Sequence, residues 1–264
     1  MFAKIRSLLT SAQDQPEVLQ ASIPDGQRVY AIGDIHGRLD LFEQLLTLIE
    51  ADDAERGQAD TQLVLLGDLI DRGPDSCGVV ERAIALLQRG NVRVLAGNHE
   101  EMMLKSLDDD ETLRHFLRHG GKETLFSYGL SPREYAQAKL PLLRERMNEL
   151  VPAAHIEFIK AMEDQIICGD YLFVHAGIRP GVPLDQQAVS DLRWIRGEFL
   201  EYANPHSHLV VHGHTIADDP VVSHNRIGID TGAFASGRLT ALGLEGGQHW
   251  FLSAAIDRAK QAAA

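Results

Sequence analysis

Cysteine is almost missing from this chain: 264 residues contain two, Cys77 and Cys168, far apart and in unlike settings. A disulfide framework and a cysteine-built structural zinc site are therefore excluded, and a cytoplasmic, reducing environment is expected. Long apolar runs are missing too. None approaches the roughly 20 residues needed to span a bilayer, so no membrane helix is expected. Basic residues are scarce beside acidic ones, 25 Lys and Arg against 38 Asp and Glu, for a formal net charge of −13. A general nucleic-acid binder needs a basic face to neutralise phosphates, so no nucleic-acid partner is expected. On average this charge repels phosphate, so an anionic substrate must be drawn by local cations, either metal ions or arginines clustered in a cleft. No repeat of solenoid period occurs, and low complexity is confined to the terminal Ala/Gln/Lys tail.

What is present is enough apolar content, 44%, for one large catalytic domain with a cap. The opening Met1-Phe-Ala-Lys-Ile-Arg-Ser-Leu-Leu has two basic residues but no long apolar core, and reads as untargeted. Residues 1–26 read as an extension closing on the turn signal Ile23-Pro-Asp-Gly26, residues 27–256 as the domain, and 257–264 as a tail. Within the domain five short apolar runs each end in a residue able to bind a metal. These are Val29-Tyr-Ala-Ile before Asp34, Gln62-Leu-Val-Leu-Leu before Asp68, Val92-Arg-Val-Leu-Ala before Asn98, Tyr171-Leu-Phe-Val before His175, and Leu209-Val-Val before His212 and His214. Such brief runs read as buried strands, which puts the polar groups where strands end and loops begin.

Helices are expected between the early strands. Phe42, Leu45, Leu46 and Ile49 recur at i, i+3, i+4, i+7, as do Val80, Ala83, Ile84 and Leu87. The order strand, helix, strand, helix, strand is α/β, a class that gathers ligands at the carboxyl ends of neighbouring strands. From about 101 to 163 the pattern is helical and charged, and reads as an insertion capping the site. The β-like segments after 205 predict a second sheet, and so a β-sandwich with helices outside.

Taken singly, the polar motifs are ambiguous. Gly33-Asp-Ile-His-Gly37 reads equally as a turn, Gly67-Asp-Leu-Ile-Asp-Arg-Gly73 as a salt-bridged loop, and Asn98 of Gly97-Asn-His-Glu100 as a helix N-cap. Three glycine-led motifs at three strand ends, joined by His175-Ala-Gly177 and His212-Gly-His-Thr215, are not explained by those separate readings. Together, in this order over residues 29 to 232, they resemble the calcineurin-like metallophosphoesterases, and specifically their phosphoprotein phosphatase branch.

The resemblance implies a β-sandwich of two mixed sheets flanked by helices. It also implies two divalent metals, one on Asp34, His36 and Asp68, the other on Asp68, Asn98, His175 and His214, with Asp68 bridging. Oxygen and imidazole donors without thiolate suit Mn²⁺ best, with Fe or Zn²⁺ as alternatives. Two such ions activate a water for in-line attack on phosphorus, with no phosphoenzyme. By resemblance His99 protonates the leaving oxygen, and Asp71 orients it and raises its pKa. Arg72 and Arg196 are the expected phosphate clamp, with Arg193 able to replace Arg196. The leading expectation is a serine/threonine-type protein phosphatase acting on a phosphorylated protein or small phosphate ester. A symmetrical bis(5'-nucleosyl)-tetraphosphatase is the alternative, disfavoured because those relatives usually carry another residue at the Asp71 position. A phosphodiesterase is disfavoured by the acidic charge, and a catalytically silent binding module by the full ligand set.

No metal role is assigned to His115, His119, His155, His206, His208, His224 or His249. His212 is read as a hydrogen-bonded core residue or a support behind the ligands, Asp230 as part of a structural turn or, by resemblance of Asp230-Thr-Gly232 to a family segment, as a neighbour of the site, and the cysteines as buried small side chains without redox function.

Overall fold

A computed structural model describes residues 21–256. The expectations for the first 20 residues and for the tail from 257 lie outside the described residues. The strands are β1 (Gln27–Ile32), β2 (Asp60–Leu65), β3 (Val92–Val94), β4 (Gln165–Cys168), β5 (Tyr171–Val174), β6 (Leu209–His212), β7 (Val221–Val222), β8 (Arg226–Gly228), β9 (Arg238–Glu245) and β10 (Gln248–Ala255). They form two five-stranded sheets, ordered β10-β9-β1-β2-β3 and β4-β5-β6-β8-β7. Both are mixed. β1, β2 and β3 run parallel, as do β5, β6 and β8, while the other neighbours pair antiparallel.

Alternation along β1 explains why its apolar run is unbroken. Val29 and Ala31 face the second sheet and join a core with Phe173, Val211 and Ile227. Tyr30 and Ile32 face the other way, into a core with Phe42, Leu45 and Val80. Both faces of the strand are thus buried, as successive side chains point to opposite sides. The second core is covered by α1 (Leu39–Arg56) and α2 (Ser76–Leu87), the helices whose periodicity is visible in the sequence.

Helices continue from the end of β3: α3 (Asn98–Ser106), α4 (Asp110–Phe116), a π-turn at Leu117–Gly121, α5 (Lys122–Ser127), α6 (Pro132–Gln137), α7 (Leu140–Leu150) and α8 (Ala153–Lys160). Their apolar residues Leu113, Phe116, Leu125, Met147 and Phe158 belong to the same cluster as α1 and α2. The helical stretch therefore shares the core of the first sheet. Its first helix opens at the Gly97-Asn-His-Glu100 motif, with Gly97 as the N-cap and Asn98, His99 and Glu100 as the first turn.

The expected second sheet is present, and the β-rich C-terminal part contributes to both sheets: β6, β7 and β8 enter the second, while β9 lies against β1 and β10 against β9, at the edge of the first. Leu242 and Leu244 face the sandwich interior while Leu239 and Ala241 face α1, so β9 needs a partner surface on both sides. The first sheet, with α1 behind it, provides both surfaces. No helix among the described residues is long and apolar enough to cross a membrane.

Candidate metal centre

Parallel strands point their carboxyl ends the same way, and two such sets face each other here. Asp34 follows β1, Asp68 follows β2 and Asn98 follows β3; His175 follows β5, His214 follows β6 and Asp230 follows β8. All six are buried. The loops carrying them are strained. Among the described residues, His36, Asp68, Asp71, Arg72 and His214 have φ of 47°, 49°, 75°, 67° and 63°, and they are the non-glycine residues in the left-handed region. Each such residue costs on the order of 1–3 kcal/mol and persists only where its surroundings over-determine it.

The side chain of Glu100 is one such determinant. Its buried carboxylate accepts from the backbone N–H groups of Gly97 (2.9 Å), Asp68 (2.9 Å), Leu69 (2.8 Å) and Ile70 (3.3 Å). One side chain thus ties the start of α3 to the Asp68 loop. Two glycines let backbone pass beside carboxylate: a Cβ on Gly97 would lie 2.1 Å from Asp68 Oδ1, and one on Gly213 2.2 Å from Asp34 Oδ1.

Two donor groups share Asp68. One joins it with His36 and His99, the other with His175 and His214. Oδ2 of Asp68 is 3.5 Å from His36 Nε2, and Oδ1 is 3.4 Å from His175 Nε2. Asn98 Oδ1 lies 3.1 Å from His175 Nε2. His36 Nδ1 donates to the carbonyl of Ile70 at 2.7 Å and His175 Nδ1 to that of Leu66 at 2.8 Å, which fixes the tautomers and leaves both Nε2 lone pairs facing the centre. His214 Nε2 is buried without a hydrogen-bond partner. Burial holds these rings neutral: it depresses His175 to about 4, and with His175 nearby it depresses His214 to about 2, while His36 falls well below its usual value.

An orphaned imidazole nitrogen, two oriented imidazoles and a carboxylate shared between clusters form a donor set that fits two hard or borderline divalent ions. Asp34 stands beside rather than within these clusters. Its oxygens accept from His214 N at 3.2 Å, and burial together with neighbouring Asp230 raises its pKa.

Next to the donors, His99 Nδ1 lies 2.6 Å from Asp71 Oδ2. The expected rise in the pKa of His99 is not found: burial lowers it, and the charge of Asp68 opposes that without reversing it. Arg72 covers both rings, with Nη1 2.7 Å from His36 Nε2 and Nη2 2.9 Å from His99 Nε2, and lies over Phe234 at 4.7 Å. The other two arginines differ. Arg193 is engaged by Asp164 at 2.8 Å through Nε and by Glu101 at 3.5 Å, while the exposed Arg196 lies close enough to His214 to lower its basicity. Beside Arg72 opens a cleft of about 720 Å³ whose walls include Arg118, His119, Lys122, Tyr135 and Phe234.

Glu100, Thr124 and Ser76 join the site although no role was expected of them, and Asp230, expected in a turn, borders it too. Thr124 Oγ1 donates to Asp71 Oδ1 at 2.6 Å. Asp230 makes the expected turn, Oδ1 accepting from Gly232 N at 2.8 Å, and its carboxyl also interacts with that of Asp34. A signal existed for two of them: Glu100 stands three residues past the glycine that opens a helix, a capping-box spacing, and Asp230 follows a β run like the other five.

The histidines left unassigned stay outside the centre. His115 and His119 stack at 4.0 Å on the surface, His155 bonds Tyr128 Oη at 2.9 Å, and buried His212 packs edge-on against Phe199. Burial and the nearby Glu81 and Asp75 push the Cys77 thiol up to about 11, so it is protonated at neutral pH.

The calcineurin-like phosphoesterase family matches the chain over residues 27–240. An asymmetrical bis(5'-nucleosyl)-tetraphosphatase, PrpE, of Anoxybacillus flavithermus is 28% identical over 234 residues, covering 80% of this chain and 88% of that protein. A symmetrical bis(5'-nucleosyl)-tetraphosphatase of Ralstonia nicotianae is 34% identical over 187 residues, covering 69% of this chain and 48% of that one. Among solved structures, a cold-active protein-tyrosine phosphatase of a psychrophilic Shewanella superposes with a TM-score of 0.53 at 19% identity, covering 91% of this chain and 86% of that chain.

Proposed function

Because this chain belongs to the calcineurin-like phosphoesterase family and is a metal-dependent phosphoester hydrolase, we propose that it is a phosphomonoesterase of the serine/threonine protein phosphatase type. We place it in the cytoplasm. The observation that carries the reading is Asp68, whose two oxygens each face an oriented imidazole of a separate cluster. Asp34, His36 and Asp68 would hold one divalent ion, and Asp68, Asn98, His175 and His214 the other, with Mn²⁺ the expected metal. When bound, such a pair supplies Lewis acidity toward a phosphate oxygen and toward the attacking water.

The remaining work falls to this chain's own groups. Arg72 and Arg196 bind the phosphate oxygens, each guanidinium offering a two-pronged donor. Arg193 is the weaker candidate because Asp164 and Glu101 already engage it. Once Nε2 has taken up a proton from solvent, so that the ring is an imidazolium with Nδ1–H still on Asp71, His99 delivers that proton from Nε2 to the leaving oxygen while Asp71 holds the ring from behind. Arg72 occupies His99 Nε2 in this structure. Phosphate binding that draws the guanidinium forward would release that nitrogen. The helical stretch 101–163, which supplies one wall of the cleft beside Arg72, is the segment we assign to substrate choice.

A second reading is a bis(5'-nucleosyl)-tetraphosphatase, favoured by the names of two relatives and by the cationic and aromatic lining of that cleft, which suits a polyphosphate carrying bases. The purified protein with Mn²⁺ should release phosphate from p-nitrophenyl phosphate; no turnover with any divalent metal sinks the enzymatic proposal. A phosphoserine peptide and diadenosine tetraphosphate then separate the two readings. Preference for the tetraphosphate by orders of magnitude in kcat/KM rejects the first.

A further inference from the structure

The carboxylate of Asp71 is held at both oxygens. Oδ2 faces His99 Nδ1 at 2.6 Å, and Oδ1 accepts from the hydroxyl of Thr124 at 2.6 Å. A threonine hydroxyl has one hydrogen. With that hydrogen committed to Asp71, Thr124 Oγ1 acts as acceptor in its other bonds, from Asp71 N at 2.9 Å and from the Ser76 hydroxyl at 2.9 Å. Ser76 Oγ in turn accepts from Asp71 N at 2.9 Å. Asp71, Ser76 and Thr124 are all fully buried.

This arrangement joins distant parts of the chain. Asp71 lies in the loop after β2, Ser76 opens α2, and Thr124 belongs to α5, 53 residues further on. The π-turn just before α5 grips the next residue as well, Gly120 O accepting from Arg72 N at 3.1 Å. The terminal torsion of an aspartate is soft. A carboxylate bonded at one oxygen only can swing, whereas one bonded at both has its plane fixed and with it the direction in which it holds the imidazole.

We propose that Thr124, supported by Ser76, is a positioning residue for the His99–Asp71 pair, the means by which the helical segment acts on the reaction. The proposal rests on the reading of His99 as proton donor. It commits the protein to a simple chemical consequence: loosening Asp71 hurts most where the leaving oxygen most needs a proton.

The test compares kcat/KM for p-nitrophenyl phosphate and phenyl phosphate, whose leaving groups need little and more protonation, with Mn²⁺ content measured in parallel. Thr124→Val should lose about tenfold more on phenyl phosphate than on p-nitrophenyl phosphate, a part of the range general acids contribute. Thr124→Ser, which keeps the hydroxyl, should stay near the parent. In an Asp71→Asn background Thr124→Val should cost nothing further. Equal losses on both esters, or losses that multiply in the double variant, overturn the proposal. If Thr124→Val does not fold, Thr124→Ala is judged by the same ratio. His99→Asn separates the two layers: a loss equal on both esters removes the reading of His99 and this inference with it, while a discriminating His99→Asn beside a uniform Thr124→Val removes this inference alone.

Discussion

The loops around Asp68 and the outer surface of the helices from α4 to α8 treat charge in opposite ways. Around Asp68, carboxylates and imidazoles are buried, and their fixed partners are mostly backbone groups: Ile70 and Leu66 carbonyls for the histidines, four N–H groups for Glu100. On the helical surface the charges pair with one another in water, as in Arg144 with Asp110, Arg146 with Glu134 and Glu149, and Lys160 with Glu157. Left-handed backbone at non-glycine residues, among the described residues, occurs only in the first region. Strain and buried charge are thus concentrated where chemistry is expected, and the ordinary geometry elsewhere carries the fold. If that division is real, equal-sized chemical changes should have very unequal effects in the two regions.

The largest difference should come from Asp68→Asn. The substitution is nearly isosteric but removes the charge that both clusters share, so bound Mn²⁺ and turnover should vanish together. We expect a fall in kcat/KM of at least about a thousandfold, the several kcal/mol that metal ions contribute to such transition states. Retention of two Mn²⁺ per chain by elemental analysis would contradict the shared-carboxylate arrangement.

Glu100→Gln tests the same region without touching a proposed ligand. An amide oxygen is a weaker acceptor than a carboxylate, and the amide nitrogen placed against backbone N–H groups is repelled. Since hydrogen bonds to a charged group count roughly 1.5–3 kcal/mol, the metal-free protein should lose about that much stability in urea unfolding. Activity should fall with it, because the loop holding Asp68 in its left-handed conformation loses its tether. A change within about 0.5 kcal/mol, the size typical of an ordinary surface site, would mean that the loop is held by something else.

These two variants also mark what could be read in the sequence. Asp34, Asp68, Asn98, His175 and His214 are legible because each follows a short apolar run, and strand ends with polar residues are a local signal. The parallel pairing that brings them to one edge follows from the α/β order. Glu100, Thr124 and Asp230 are less legible because their partners are remote: Glu100 reaches 32 residues back to Asp68 N, and Thr124 reaches 53 back to Asp71. The placement of β9 is hidden for the same reason, since its partner β1 lies more than 200 residues earlier in the chain. Likewise, Asp71 beside His99 suggested a raised pKa, but the depth of burial that lowers it is a property of the packed molecule.

The smallest effect should come from Arg146→Ala on α7. Its guanidinium pairs with Glu134 at 3.7 Å and with Glu149 one turn away, yet both acids are about half exposed. An exposed pair gains little in high dielectric and costs side-chain entropy to hold, so such pairs contribute about 0–1 kcal/mol. Stability in urea unfolding should therefore change by less than the loss expected of Glu100→Gln, and kcat/KM should be unchanged on either ester. Arg146 is no further from charged partners than His99 is from Asp71 by much more than an ångström; what separates the two is solvent, which screens one contact and is excluded from the other. A loss of activity in Arg146→Ala comparable to that of Glu100→Gln would erase the division, because it would make the helical surface, and not only its buried Thr124, part of the catalytic apparatus.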